Sequence, residues 1–347
     1  MENRPRFKTG QIVNSKTVRY TLQRKLGDGR YGCVFQVVNE RNEVFAMKIE
    51  WKAMERSDPR LGMEIAILRH IRQNTVSPHY IDYVDRASMP KSFFMVTSMV
   101  GDNLETLVRE QLGSKFTHRT ALGIALQVLD ALKDLHMLGY VHRDIRPQNL
   151  CIGLGDKTHI IFLMNFGCAA IYQKAKKIRK PRDHVPIKGK VEFTSLSSHK
   201  HAEQSPKDDI ESLLYTIVYL CNGLPWTPDS SESFIASQKK KLREDEKMFN
   251  TFFRSIHPPT MKNIVTYLDK LTYYDHADHE FVKNAIVQAA THEKIQGIKS
   301  NFDWECDDNS TSTSSRAGSR ESLRGPDVNL AVRSPTTDSE KVPFDKA

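Results

Sequence analysis

Three stretches carry residue types whose spacing suits phosphate chemistry. In Gly27-Asp28-Gly29-Arg30-Tyr31-Gly32-Cys33-Val34, three glycines fall in a G-x-G-x-x-G-x-V spacing. Without Cβ atoms, such a loop lets the backbone close over phosphate groups. A similar spacing opens dinucleotide sites, but there the last glycine begins a helix. Here it runs into the strand-like Cys33-Val34-Phe35-Gln36-Val37-Val38. Lys48 follows in Val44-Phe45-Ala46-Met47-Lys48 and supplies an ammonium for α- and β-phosphates, with Glu64 the candidate to hold it in place. Taken singly, Lys48 also reads as a strand-end charge and Glu64 as a solvated helix charge; their order behind the glycines favours the site. In His142-Arg143-Asp144-Ile145-Arg146-Pro147-Gln148-Asn149, Asp144 is placed to accept a hydroxyl proton and orient that hydroxyl toward a γ-phosphate. Asn149 offers an amide oxygen to magnesium, and Arg146 keeps a positive charge near the γ-phosphate.

The surrounding pattern supplies elements to hold these groups. Residues 33–38 and 44–49 flank the polar turn Asn39-Glu40-Arg41-Asn42 and predict a hairpin. Leu61, Ile65 and Leu68 mark one apolar helix face. From Phe116 the pattern turns helical, with Leu122, Leu126, Leu129 and Leu132 in step and Gly139 as the stop. Further helices are predicted over 208–221 and 261–271. Apolar residues make up 39% and charged residues 27% of the 347, ordinary for a globular protein with one large or two modest domains. No secretory signal is visible, and the most apolar stretch, 213–221, is less than half a membrane span, so no membrane association is expected. The cysteines (Cys33, Cys151, Cys168, Cys221 and Cys306) are scattered, which argues for a reducing compartment, cytoplasmic or nuclear, and against a zinc site. The net charge is +9, yet from Asn301 onward nine acidic and six basic side chains leave −3, so the body carries +12. A basic body suits nucleic acid, acidic proteins or polyphosphate ligands.

At this point the chain resembles the eukaryotic protein kinases, and within them the casein kinase I group, nearest its tau-tubulin kinase branch. Met63-Glu64-Ile65-Ala66-Ile67-Leu68, Val100-Gly101-Asp102-Asn103-Leu104-Glu105-Thr106-Leu107, Glu203-Gln204-Ser205-Pro206-Lys207-Asp208-Asp209-Ile210-Glu211-Ser212-Leu213, Leu224-Pro225-Trp226 and Leu271-Thr272-Tyr273-Tyr274-Asp275 carry the resemblance, over residues 20–290. It implies an α+β, two-lobed fold: a small β-rich lobe over about 20–97 and a larger helical lobe over about 102–300, after an extension of 1–19. It implies ATP as cofactor, held by Leu26, Gly27, Asp28, Gly29, Arg30, Tyr31, Gly32, Cys33, Val34, Ala46, Lys48, Thr97, Ser98 and Met99. Thr97 would be the gatekeeper, residues 98–101 the hinge, and Asp209 a buttress of the catalytic loop. The catalytic set would be Asp144, Arg146, Asn149, Lys48 and Glu64, acting on protein serine and threonine near acidic or phosphorylated residues. The expected partner is a protein substrate, acidic in character, and the expected state is monomeric.

Two departures bear on activity. The metal-binding D-F-G reads Asn165-Phe166-Gly167, so the metal ligands would be Asn149 and Asn165. Magnesium favours anionic oxygens, which weakens the site and makes manganese a second candidate. The family's G-T-x-R-Y reads Gly189-Lys190-Val191-Glu192-Phe193, a charge reversal where substrate anions bind. Upstream, Lys174, Lys176, Lys177, Arg179, Lys180 and Arg182 form a basic run, read as a solvated mobile loop, an acidic-partner dock or a nuclear import signal. It has no aromatic interleaving, so nucleic acid is not expected. Cys33 and Cys168 read as small packing residues or as reactive thiols. Two classes remain: a Ser/Thr kinase of low activity, and a pseudokinase that holds nucleotide or scaffolds partners. Residues 301–347, rich in Ser and Thr, are expected to be a disordered tail with phosphorylation sites near Ser310 and Ser334.

Overall fold

The computed structural model describes residues 5–29, 31–52, 60–113, 115–298 and 301–305. Arg30, Cys306, and the tail with Ser310 and Ser334 lie outside the described residues. The N-terminal part is one antiparallel sheet of six strands, β1 (Ile12–Asn14), β2 (Arg19–Asp28), β3 (Gly32–Asn39), β4 (Val44–Trp51), β5 (Tyr83–Ser88) and β6 (Ser92–Thr97), in the order β1-β2-β3-β4-β6-β5. β1 lies within the segment expected as an N-terminal extension and pairs Val13 with Tyr20. The predicted hairpin is β3–β4, with Val38 opposite Val44. Its turn closes because Asn39 Oδ1 accepts the N–H groups of Arg41 (2.9 Å) and Glu43 (3.0 Å). Alternation along β3 sends Cys33, Phe35 and Val37 into a core with Tyr20, Leu22, Met47, Ile49, Phe94 and Val96. Val34 and Gln36 face the other way.

Helix α1 (Arg60–Asn74) begins where Glu50, on β4, accepts the N–H groups of Arg60 and Leu61 at 3.0 and 2.8 Å. A carboxylate there satisfies orphan donors and favours the helix dipole. The apolar face of α1, with Leu61, Ile65 and Leu68, belongs to the core of the large lobe rather than to that of the sheet.

The large lobe starts with the short α2 (Leu104–Thr106) and the long α3 (His118–Met137), capped by Thr117 and ended before Gly139 as expected. Strands β7 (Tyr140–Val141), β8 (Leu150–Ile152), β9 (Ile161–Leu163) and β10 (Ala170–Ile171) form two short ladders around the catalytic loop. β11 (Gln173–Lys174) and β12 (Lys177–Ile178) make a hairpin across Ala175 and Lys176, both at positive φ, as a two-residue turn requires. The basic run is therefore an ordered, exposed hairpin and its continuation. Then follow α4 (Leu196–His199), α5 (Pro206–Asn222), α6 (Glu232–Glu244), α7 (Glu246–Phe252), α8 (Pro258–Lys270) and α9 (His279–His292). Helix α5 begins two residues earlier than predicted, because Pro206 takes the first turn and the Ser205 N–H donates to Asp208 at 2.8 Å. No helix among the described residues is long and apolar enough to cross a membrane.

The described chain packs past residue 300. Phe302 stacks on Trp304 at 4.8 Å, and Trp304 meets Phe116 edge-on at 5.5 Å. Asp303 accepts the N–H (2.6 Å) and hydroxyl (2.7 Å) of Thr117, fastening this stretch to the start of α3. The architecture is mixed α+β in two lobes, as the resemblance implied.

Candidate active site

The cleft face of the sheet is set by register. Val34 lies opposite Lys48 and Lys48 opposite Met95, while Gln36, Ala46 and Thr97 form the next row. Paired residues share a face, so Val34, Ala46, Lys48 and Thr97 line one surface together. Cys33 does not join them: it pairs with Ile49 and is buried in the small core, where burial raises its thiol pKa and keeps it protonated. Leu26 is exposed beside Gly27, and Ser98 and Met99 continue from the end of β6. In the glycine loop Gly29 N–H donates to the Gly32 carbonyl at 2.8 Å. A Cβ on Gly32 would sit 1.9 Å from the Ile49 carbonyl oxygen, so that residue type is forced by the close approach of β4. At the loop tip Tyr31 lies under the Arg60 guanidinium, 3.7 Å from its ring centre, which brings the loop onto the start of α1. Asp28 stays exposed, at 2.5 Å from Lys25.

Lys48 Nζ pairs with Glu64, which is buried on α1, and donates to Asn165 Oδ1 at 2.9 Å. Asn165 Nδ2 donates to Asn149 Oδ1 at 3.1 Å, and Asn149 Nδ2 donates to both the carbonyl (2.7 Å) and Oδ2 (2.9 Å) of Asp144. Arg146 Nε stands 2.9 Å from Asp144 Oδ1, which also accepts the Lys190 N–H at 3.3 Å. All five expected catalytic residues are thus within one connected network. The two expected metal ligands are neutral carboxamides hydrogen-bonded to each other. Asp156 sits in an exposed turn and appears in none of these contacts.

The backbone here is held off its usual conformations. Arg143 and Asn165 both have positive φ, at 66° and 68°, which costs energy for side chains other than glycine unless contacts over-determine it. For Arg143 those contacts come from Asp209, whose oxygens accept the His142 and Arg143 N–H groups, both at 2.7 Å, and His136 Nε2 at 2.9 Å. Burial alone would raise the Asp209 pKa; the bond and charge of His136 and the donation from His142 carry it below the ordinary value. Burial keeps His142 neutral, consistent with Nδ1 accepting the Asp144 N–H (3.2 Å) and Nε2 donating to the Met164 carbonyl (3.0 Å). Phe166 packs between the rings of His142 (5.3 Å) and Tyr80 (6.0 Å), tying the Asn-Phe-Gly turn to the large-lobe core.

Farther along, Glu192 is buried and its carboxylate faces Lys190 Nζ at 3.5 Å, so the two altered side chains of this segment answer each other. The sequence reading missed two anchors of the segment. Glu203 takes Arg182 at 2.5 and 2.9 Å and lies 3.7 Å from Arg143. Lys239, fully buried on α6, donates to the carbonyls of Val191 (3.0 Å) and Thr194 (2.6 Å) and stands 3.1 Å from His199 Nε2. Glu203 lay within a motif already singled out; Lys239, one of three consecutive lysines, gave no signal.

A protein kinase domain model matches residues 20–301. A probable serine/threonine-protein kinase of Dictyostelium discoideum is 27% identical over 88% of this chain, which spans 59% of that relative's length. The serine/threonine-protein kinase spe-6 of Caenorhabditis elegans is 29% identical over 83% of this chain and 76% of its own. A putative casein kinase I of the same worm is 32% identical over 65% of this chain and 67% of its own. The matched span takes in β2 through α9, and with it the glycine loop, Lys48, the catalytic loop and Asp209: the chain belongs to the protein kinase domain family.

Proposed function

We propose that this chain is a casein kinase I-like serine/threonine kinase domain, nearest the tau-tubulin kinase branch, that binds ATP and transfers its γ-phosphoryl group only weakly. The observation that carries this reading is the amide of Asn165, lodged between Lys48 and Asn149 where the family has a carboxylate. Lys48 meets the nucleotide phosphates, and Asp144, steadied by Arg146 and Asn149, orients a serine or threonine hydroxyl and takes its proton. Losing one preorganised charge of this kind costs about 3–4 kcal/mol, roughly 10²–10³ in rate. Bound magnesium would supply charge neutralisation of the phosphates, but the two side chains expected to hold it, Asn149 and Asn165, bring no anionic oxygen to that task.

A second reading, a pseudokinase that scaffolds protein partners, draws on the Lys190–Glu192 pair, which leaves no arginine at that place for a substrate anion. The test is transfer from γ-labelled ATP to casein and to the chain itself, for wild type, Asn165→Asp and Asp144→Asn. Weak transfer in the wild type, lost with Asp144→Asn and raised about 10²-fold by Asn165→Asp, is the expected result. Silence in wild type and Asn165→Asp alike would favour the scaffold reading.

A further inference from the structure

The Lys48-to-Asp144 network has a direction. An ammonium only donates, so the Asn165 atom 2.9 Å from Lys48 Nζ must be the carbonyl oxygen. That fixes the amide and turns its N–H edge toward Asn149. Asn149 is fixed in the same way, since its Nδ2 has two acceptors on Asp144, its carbonyl at 2.7 Å and its Oδ2 at 2.9 Å. Donation therefore runs one way, from Lys48 through Asn165 and Asn149 to Asp144. A divalent cation between Asn149 and Asn165 would meet an N–H where it needs an oxygen. Rotating the amide to offer that oxygen would aim N–H at the ammonium and break the bond to Asn149. The donor set also lacks the anionic oxygen that a hard ion favours.

The same substitution changes Lys48. Its ammonium answers one carboxylate, Glu64, and a neutral carbonyl, so more of its charge is left for an anionic ligand. The geometry points to a nucleotide site that takes the free, metal-unbound triphosphate in preference to its magnesium complex. Lys48 meets charge that the metal would otherwise neutralise. This inference rests on the reading of the cleft as a nucleotide site.

Titration calorimetry of the full chain with ATP, in EDTA and then in excess magnesium, tests it. Binding in EDTA that weakens about tenfold or more in magnesium, equivalent to about 1.4 kcal/mol, is expected. In Asn165→Asp the order should reverse, because a carboxylate repels the free tetraanion and recruits the metal. Lys48→Met, checked as folded by its thermal melt, should abolish binding in both buffers. Wild-type binding that requires magnesium would overturn the inference and leave the nucleotide reading standing. A folded wild type that binds in neither buffer would overturn both.

Discussion

Replacing Lys239 by Met sets two large effects against each other. The amine is fully buried, and burial pushes its pKa from 10.5 down to about 7. Holding that charge in the fold at neutral pH thus costs about 5 kcal/mol, at 1.36 kcal/mol per pKa unit. Met removes this cost but leaves the carbonyls of Val191 and Thr194 without their donor, at about 1–3 kcal/mol each. The two largely offset, so we expect stability at pH 7 to change by no more than about 3 kcal/mol. The pH dependence separates them. Between pH 7 and 10.5 the unfolded chain keeps a proton on Lys239 that the folded chain has lost, so wild-type stability rises with pH through that window. Below pH 7 both states are protonated and the residue adds no slope. From pH 7.5 to 9.5 the wild type should gain about 2–3 kcal/mol over Lys239→Met, about 4 °C in Tm for a domain this size. Comparing the two proteins cancels the cysteines and tyrosines, which titrate in both. Parallel melting curves would refute the reasoning and mean that the three acceptors around Nζ outweigh burial.

Gly189→Ala should lower stability by about 2 kcal/mol, because φ is +79° and the new Cβ would lie 2.6 Å from Asp144 Oδ1. Phosphotransfer should fall with it, measured beside a melt that shows the variant folded. Phe302→Ala should cost about 3 kcal/mol by urea denaturation, since the ring is buried against Trp304; a loss under about 1 kcal/mol would mean this stretch is not held as described. Burial pushes His199 down to about 4 and His279 to about 3. The unfolded chain takes up those protons below pH 6.5 and the folded chain does not, so acidification from pH 7 to 5 should remove about 1–2 kcal/mol per residue. A double His199→Gln, His279→Gln variant should flatten that slope.

What the sequence disclosed was local. The β3–β4 hairpin followed from two strand-like runs around a polar turn, and α3 from its leucine spacing and Gly139. The site was legible because kinase-type motifs fix residue spacing within single loops. Contacts between distant segments were legible where the motifs supplied both partners, as for Lys48 with Glu64 and the catalytic loop with Asp209, and not elsewhere. Nothing marks Lys239 apart from Lys240 and Lys241, yet only the first turns beneath Val191 and Thr194. The reading of 174–182 as a solvated mobile loop followed its charge, while positive φ at Ala175 and Lys176 folds its first part, through Ile178, into a hairpin. Polarity misled again at the end of the body: Asp303 looks like a tail residue until its partner Thr117, far back in the chain, is known.

Helix α1 follows the sheet in sequence but shares its buried face with the large lobe. Among the described residues the sheet keeps a core of only ten buried side chains, too few to stand alone. Native-state hydrogen exchange should therefore divide the upper half of the molecule: amides of β1 to β4 release by partial opening, while those of α1 wait for the large lobe. A ligand spanning both lobes would raise the sheet's opening free energy by RT ln(1 + [L]/Kd) and leave that of α1 nearly unchanged. Protection at Lys48 and its strand neighbours then reports occupancy of the cleft whether or not any phosphate is transferred.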